Sequence, residues 1–175
     1  TYTGVTSMLM EEGLDSGDIL GLKYYKIPQN MEVAELFSKL SSLAAKLAIE
    51  TLENYEKIDP KKQNESEVSY CKKIKKEYGK VEFTNAKKLY QKYKAYSYWP
   101  GVYLNSGLKL KEITLHDISS NNEEGKILEI GDDFIIIGCK TGSLKIKTLQ
   151  APSKKEVNSV DYIRGHRFKS GDSLI

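Results

Sequence analysis

The stretch TGVTSMLMEEGLDSGDIL, residues 3–20, contains a strand and the loop that leaves it. Residues 2–10 include Val5, Met8, Leu9 and Met10 and show little polar alternation, which predicts a buried strand. The loop carries four acidic side chains, and Asp15 lies between Gly13 and Gly17. A loop that leaves a buried strand is a common place to present a carboxylate at a pocket. The alternative is a tight turn with solvated acids, because glycine and aspartate are turn residues anyway.

The next segment extends this strand and loop into an α/β unit. A second strand is predicted over 19–27, ending at Pro28, and Asn30 is a favourable N-cap for an amphipathic helix over 31–56. The leucines of this helix fall on one broad face: Leu36, Leu40, Leu43, Leu47 and Leu52. Two strands cannot bury that face alone. We therefore expect residues 1–56 to be the tail end of a larger sheet domain, and the chain to be a fragment.

The middle of the chain is polar and then becomes helical. Residues 57–80 are rich in charged side chains and predict a linker. A short helix is predicted over 85–96, with Thr84 or Asn85 as its cap. Trp99 follows, next to a proline at the entry to the next region. We expect this side chain to be a core anchor rather than a stacking platform for a base.

Beyond Trp99 the pattern changes to short strands separated by glycine turns. Leu144 and Ile146 alternate with Lys145 and Lys147, a period of two that is typical of half-buried antiparallel strands with a lysine face. Five such strands predict a small OB-like barrel, a fold that often binds nucleic acid on an exposed sheet face. Their ranges are 101–105, 107–118, 125–131, 133–140 and 142–150, and a short helix near 155–164 follows.

Charge is distributed unevenly between the two parts of the chain. Residues 1–56 carry nine acidic and four basic side chains, a net charge of −5, whereas residues 57–175 carry 15 acidic and 23 basic side chains, a net charge of +8. A basic half favours a polyanionic partner. The alternative is a lysine-rich solvated surface.

Composition excludes several other classes of protein. No apolar stretch approaches the roughly 20 residues that span a bilayer, so no membrane span is expected. Cys71 and Cys139 are the only cysteines, and they have neither metal-ligand spacing nor the number needed for a disulfide framework. We therefore expect a reduced, cytoplasmic protein without a metal.

Several motifs, in order along the chain, resemble those of the methionyl-tRNA formyltransferase family. Residues 3–20 resemble the final motif of its formyltransferase domain, SYCKKIKKEYGKVEF (69–83) its linker, and KAYSYWPGVYL (94–104) the entry to its C-terminal domain. The strands GKILEI (125–130) and GSLKIKTLQ (142–150), and the tail ending FKSGDSL, resemble its barrel and terminus. The first motif is shared by other folate-dependent formyltransferases, and the C-terminal set indicates the tRNA enzyme.

The resemblance implies an α+β organisation in two domains. The C-terminal part of a Rossmann-like α/β domain is expected over 1–56, a linker over 57–82, and an OB-like antiparallel β-barrel that binds tRNA over 83–175. The implied reaction moves a formyl group from 10-formyltetrahydrofolate to the amine of methionyl initiator tRNA, through a tetrahedral oxyanion. No metal is implied, and we expect a monomer.

The resemblance also implies roles for the residues of the loop. Asp15 matches an aspartate that orients the family's catalytic histidine and assists proton transfer. Backbone around Glu12, Gly13, Leu14 and Asp15 is implied to line the pterin pocket of the folate co-substrate. The family's Asn-x-His stretch matches nothing in this chain, so we expect these 175 residues alone to be inactive.

The implied tRNA-binding residues lie in the basic half. Phosphate contacts position the RNA, and A-form helices are recognised mostly by shape, which suits a lysine-bearing sheet. The first set of candidates is Lys140, Lys145, Lys147, Lys154 and Lys155. The second set is Arg164, Arg167, Lys72, Lys73, Lys75 and Lys76. Ser153 replaces the glycine of the family's Gly-Lys-Lys motif, so the loop there departs from the pattern.

Two other functions remain open. A related formyltetrahydrofolate-using enzyme, such as a hydrolase or a sugar-amine formyltransferase, shares the Asp15 motif but has less need of a lysine-bearing barrel. A stand-alone RNA-binding module would bind tRNA without any formyl transfer.

Overall fold

The computed structural model describes all residues from 1 to 175 and divides them into two compact units. The first unit is Thr1–Lys73 and the second is Ile74–Ile175. The division falls inside the segment 57–82, which the sequence predicts to be a linker. Each unit has its own antiparallel sheet. The coarse prediction of a mixed chain of helices and sheets is therefore confirmed.

The first unit is a two-stranded sheet with one helix packed on it. Strand β1 (Tyr2–Met8) pairs antiparallel with β2 (Ile19–Lys26), and helix α1 (Val33–Glu53) contacts both strands. The helix approaches the sheet closely at Gly21, where an added Cβ would lie 2.9 Å from Cδ1 of Leu47. Neither α1 nor any other helix is long and apolar enough to cross a membrane.

Helix α1 differs from its prediction at both ends. Asn30 is not its cap: the N-cap is Glu32, whose side chain makes no capping hydrogen bond. The leucine face is right for Leu36, Leu40, Leu43 and Leu47, which are half-buried or buried. It is wrong for Leu52, which is 77% exposed. The residue four positions after Leu47 is Thr51, so Thr51 takes the next inward position and its hydroxyl bonds that of Ser7 at 2.9 Å.

The second unit contains a short 3₁₀-helix (Lys76–Gly79), two α-helices and six strands. The α-helices and strands follow the order α2 (Ala86–Tyr96), β3 (Val102–Tyr103), β4 (Lys109–Asp117), β5 (Ile127–Ile130), β6 (Ile135–Gly138), β7 (Ser143–Gln150), β8 (Val157–Asn158) and α3 (Ser159–Gly165). All six strands belong to one antiparallel sheet. Helix α2 begins as predicted, because the Asn85 side chain accepts a hydrogen bond from the Lys88 amide at 2.9 Å.

The sheet of the second unit is not a closed barrel. Its strands follow the order β3-β4-β7-β6-β5, and β8 pairs with β7 off this path. No ladder joins β3 to β5, so both remain edge strands. The prediction of a small barrel is therefore wrong with respect to closure. The five predicted strands are present, and the two-residue strand β8 is an addition.

An unbroken core fills the second unit. It includes Phe83, Ile127, Leu144 and Ile163, none of which has any exposed surface, and it also buries Val81. The alternation along β4 shifts at Glu112, whose backbone lies in the left-handed region with φ of 48°. Leu110 and Ile113, three residues apart, are consequently both buried.

The burial of Trp99 and of the two cysteines can be read directly from the structure. Trp99 is 51% exposed, so its prediction as a core anchor is wrong; the neighbouring Pro100 is the residue that is buried. Cys139 is buried, and desolvation raises the pKa of its thiol to about 12. Cys71 is exposed.

Candidate functional site

The loop between β1 and β2 is closed at its base by backbone contacts. The Leu9 amide donates to the Asp18 carbonyl at 2.9 Å. Gly17 is buried against this pair, and a Cβ at that position would lie 1.8 Å from the Leu9 carbonyl oxygen. Only glycine fits such a close approach of two backbone segments. Gly17 therefore allows the base of the loop to close, and residues 10–16 project beyond that base.

Asp15 lies in the projecting part of the loop, in an uncommon backbone conformation. Its φ is 55°, in the left-handed region that few residues other than glycine adopt. The residue is exposed, and its carboxylate makes no hydrogen bond or ion pair within the chain. The first unit contains no histidine, since His116 and His166 both lie in the second unit. The carboxylate is thus presented outward without a partner from its own unit.

The residues predicted to line a pterin pocket share this loop. Glu12, Gly13 and Leu14 are exposed, and Leu14 is 91% exposed. Leu14 and Asp15 form a turn, and no hydrogen bond within the chain engages the backbone N–H groups of residues 11–15. Polar backbone groups beside an exposed apolar side chain are suited to binding the edge and face of a heteroaromatic ring.

Gln63 also contacts this loop, and no sequence pattern predicts the contact. Its side-chain amide donates to the Asp15 carbonyl and to the Gly17 carbonyl, each at 2.8 Å. Two residues earlier, Lys61 exchanges backbone hydrogen bonds of 2.8 and 2.9 Å with Ile19. Gln63 stands in a polar segment without periodicity, so only its contacts single it out.

Two of the predicted tRNA-binding lysines have partners within the chain. The Lys147 ammonium bonds the Asp133 carboxylate at 2.7 Å, and this bond lowers the pKa of Asp133 and raises that of Lys147. The Lys145 ammonium lies 3.7 Å from the centre of the Phe134 ring, a cation–π contact. Both lysines lie on β7 as predicted, but their charges are already engaged.

Another pair of predicted residues lines an apolar cavity of about 440 Å³. Lys154 and Lys155, in the loop between β7 and β8, line it together with Tyr162 and His166 from α3 and its C-cap. The rings of Tyr162 and His166 stack with centroids 4.1 Å apart. The structure thus brings this lysine pair next to the helix that carries Arg164.

The remaining candidates are exposed side chains. Lys75 forms an exposed ion pair with Glu77 at 3.6 Å, and Arg167 has a left-handed backbone with φ of 61°. No hydrogen bond or ion pair within the chain engages the side-chain charges of the others: Lys140, Arg164, Lys72, Lys73 and Lys76. No group of three or more His, Cys, Asp or Glu side chains is placed to hold a metal ion.

The strand-rich, basic second unit is similar to a known domain family. Residues 73–167 match the family model of the formyl transferase C-terminal domain. This match covers more than half of the chain, and the chain belongs to this family.

Two curated relatives are similar to this chain over nearly its whole length. The chain is 49% identical over 174 residues to the methionyl-tRNA formyltransferase of a Nitratiruptor species, covering 99% of this chain and 58% of that protein. It is 50% identical over 172 residues to the methionyl-tRNA formyltransferase of Sulfurimonas denitrificans, covering 98% of this chain and 57% of that protein. The chain thus spans a little more than half the length of the curated relatives it matches.

The fold is also found among solved structures. HypX from Aquifex aeolicus, crystallised in complex with tetrahydrofolic acid, superposes with a TM-score of 0.72 at 19% identity. The superposition covers 93% of this chain and 30% of that chain. At this identity the likeness shows a shared fold.

Proposed function

We propose that the protein to which this chain belongs transfers a formyl group from 10-formyltetrahydrofolate to the amino group of methionyl initiator tRNA. The observation that carries this proposal is the identity of about half of all residues, across nearly the whole chain, with methionyl-tRNA formyltransferases. The protein acts as a monomer in translation initiation, and hence in the cytoplasm.

In this proposal residues 1–56 are the last part of a Rossmann-like domain, 57–82 are a linker, and 83–175 are an OB-like domain that binds tRNA. The incomplete cover of α1 supports the first assignment, since Phe37, Ile49 and Leu52 are each more than half exposed. A helix that packs on a larger sheet buries more of its apolar surface than this.

The proposed chemistry requires a carboxylate held near a histidine. The substrate amine attacks the formyl carbon, the carbonyl oxygen becomes an oxyanion, and the amine loses a proton. The oxyanion then collapses as the bond between the formyl carbon and the folate nitrogen breaks, and that nitrogen takes up a proton and leaves as tetrahydrofolate. The Asp15 carboxylate fixes the orientation of the family's histidine and favours its protonated form. Asp15 is suited to this role because it is exposed, has no partner within its unit, and lies on a loop whose base is closed.

The folate co-substrate is proposed to bind at the same loop. Glu12, Gly13, Leu14 and Asp15 line the pterin, which their backbone contacts at its polar edge. Two features support this assignment. The N–H groups of residues 11–15 have no acceptor within the chain, and the Leu14 side chain is almost fully exposed.

The tRNA is proposed to bind through the basic residues of the second unit and the linker. Lys154 and Lys155 are the best supported of these, because they are exposed and no acid within the chain pairs with them. The same proposal covers Lys140, Lys145, Lys147, Arg164, Arg167, Lys72, Lys73, Lys75 and Lys76.

The test uses a protein of the relatives' full length that carries this chain. It is given methionyl initiator tRNA and 10-formyltetrahydrofolate, and formyl-methionine is measured for wild type, Asp15→Asn and the control Glu11→Gln. We expect wild type and Glu11→Gln to transfer formyl, and Asp15→Asn to lose at least about 100-fold in rate, the size typical of a lost acid–base group. Glu11 is a matched control because it is an exposed acid of the same loop.

Two other outcomes point to the alternatives. Consumption of the folate, or formylation of a small amine, without transfer to charged tRNA would indicate a related folate enzyme. Salt-sensitive tRNA binding without formylation of any amine would indicate an RNA-binding module, and the acidic loop would then be only a turn.

A further inference from the structure

We propose that Gln63 is a positioning residue, which fixes the backbone on either side of Ser16 and so sets the direction of the Asp15 carboxylate. The inference rests on the proposed function, because it assigns Gln63 a part in the same reaction. Nothing in the sequence pattern singles this residue out. Its contacts do.

Both N–H donors of the Gln63 side chain are engaged by the loop. An amide nitrogen carries two hydrogens, and Nε2 of Gln63 has two carbonyl oxygens at 2.8 Å, those of Asp15 and Gly17. The sulfur of Met8 lies farther away, at 3.9 Å. Both strong donors are therefore used on the backbone that surrounds Ser16.

These hydrogen bonds act on a residue with an uncommon backbone conformation. Asp15 has a φ of 55°, which is uncommon for a residue with a side chain. Such conformations persist when the surroundings hold them, and they cluster at functional sites. A bond to the Asp15 carbonyl fixes the peptide plane that follows it. A rotation of that plane would turn the Cα–Cβ bond and move the carboxylate.

The backbone is held by hydrogen bonds on both sides of Gln63. Lys61 is joined to Ile19 by two backbone hydrogen bonds. The side chain of Asn64 accepts a hydrogen bond from the Ser66 amide at 3.1 Å, at the start of a short 3₁₀-helix, Glu65–Glu67. The amide thus reaches the loop from a braced segment, which is what a positioning contact requires.

The exposure of Gln63 distinguishes a role in positioning Asp15 from a role in the overall stability of the fold. Gln63 is exposed and is not part of an apolar core. Substitutions of exposed residues usually change the free energy of unfolding little. If Gln63 acts through Asp15, its loss should lower the rate of the chemical step and leave thermal stability and tRNA affinity almost unchanged.

The test compares Gln63→Met and Gln63→Glu with the control Lys62→Met in the full-length protein. Methionine keeps the length of the side chain but has no N–H donor, and glutamate places an acceptor against two carbonyl oxygens. We expect kcat of Gln63→Met to fall about 10- to 100-fold, the range associated with a small misplacement of a reacting group. The KM for charged tRNA should stay within about twofold and the thermal midpoint should not move.

A double-variant cycle supplies the readout that a merely structural role would not give. In an Asp15→Asn background, adding Gln63→Met should cause little further loss, because both changes remove the same contribution. Gln63→Met and Gln63→Glu both as active as Lys62→Met, or a loss that is fully additive with Asp15→Asn, would overturn the inference alone. A wild-type protein that transfers no formyl group would overturn the proposed function as well.

Discussion

At the residue scale, the absence of a side chain at Gly17 allows two backbone segments to approach closely and close the base of the loop. A methyl group there would lie 1.8 Å from the Leu9 carbonyl oxygen, so Gly17→Ala must push apart the two backbone segments that close the loop. We expect this variant to open the loop base and to lose the hydrogen bond from the Leu9 amide to the Asp18 carbonyl. Hydrogen exchange of the Leu9 amide measures the loss directly, and we expect protection to fall at least about 10-fold, as local opening becomes easier.

A second glycine provides the matched control for this prediction. Gly165, at the end of α3, has no neighbouring atom within 4 Å of an added Cβ, and its φ is not positive. Gly165→Ala should leave amide exchange throughout the chain nearly unchanged. Equal protection of the Leu9 amide in wild type and Gly17→Ala would show that the loop base adapts and that glycine is not required.

The residues of the loop show what can be predicted at this scale. The loop follows from its glycines and aspartates, whereas Asp15 as the carboxylate of interest rests on the family resemblance, because the same residues also fit a solvated turn. The strand before the loop was predicted to be buried, and this is wrong, since β1 has only half-buried and exposed residues. The contact from Gln63 does not follow, because a hydrogen bond between residues 48 positions apart leaves no local pattern. The prediction for Trp99 is wrong for a similar reason, since burial depends on neighbours that its own sequence context does not specify.

At the scale of elements, the end of β4 is held by a single carboxylate. Asp117 accepts hydrogen bonds from the Ser120 amide at 2.6 Å and from the Ser119 hydroxyl at 3.2 Å. Hydrogen bonds from Ser120, and then from the neighbouring amides, hold the pKa of Asp117 well below its usual range. The ionised form therefore stabilises the turn that leads from β4 to β5.

This turn predicts a pH dependence with a definite sign. A carboxylate whose pKa is lowered by folding contributes its stability above the unfolded-state pKa, near 4, and loses it as the pH falls below that value. Wild type should thus melt at a higher temperature than Asp117→Asn at pH 7, and the difference should shrink between about pH 4 and pH 2. Thermal melts followed by circular dichroism measure this difference. The control Asp132→Asn, at an exposed acid without a hydrogen-bond partner, should match wild type throughout. A gap between wild type and Asp117→Asn that stays constant with pH would contradict the assignment.

The elements of the second unit were predictable in number more than in arrangement. Alternation of leucine and isoleucine with lysine, and glycine turns, indicate five of its six strands. Closure of the sheet was predicted wrongly, because whether the first strand pairs with the last depends on long-range geometry that periodicity does not contain. Strand β8 was missed because two residues are too few to show a period.

At the scale of the whole molecule, the uneven charge is the property that matters for binding a polyanion. Lys154 and Lys155 have no pairing acid in the chain, whereas Lys147 is neutralised by Asp133. Each lysine that contacts a phosphate contributes about 1 to the slope of log affinity against log salt. The double variant Lys154→Ala/Lys155→Ala should therefore weaken tRNA binding and reduce that slope by about 1 to 2.

A variant at the paired lysine tests this ranking in the same titration. Lys147→Gln should change the slope by much less than 1, because binding a phosphate there requires the bond to Asp133 to break. Filter binding of initiator tRNA at several salt concentrations measures both variants. The ranking fails if Lys147→Gln reduces the slope as much as the double variant does.

The division of charge between the two parts of the chain was readable from composition, and so was the class of partner that it favours. The engagement of individual lysines was not. Lys145 and Lys147 look equivalent to Lys154 and Lys155 in the sequence, yet one contacts Phe134 and the other Asp133. Only a folded chain distinguishes a free charge from a paired one.

The difference between the two thiols has a practical consequence for labelling. A cysteine reacts as its thiolate, and burial at a pKa of about 12 leaves Cys139 both shielded and protonated near neutral pH. Cys71 is exposed and directly precedes Lys72 and Lys73, two candidates for contact with tRNA. Within these 175 residues, Cys71 is therefore the one reactive attachment point for a fluorophore or a photocrosslinker, and Cys139 does not need to be removed.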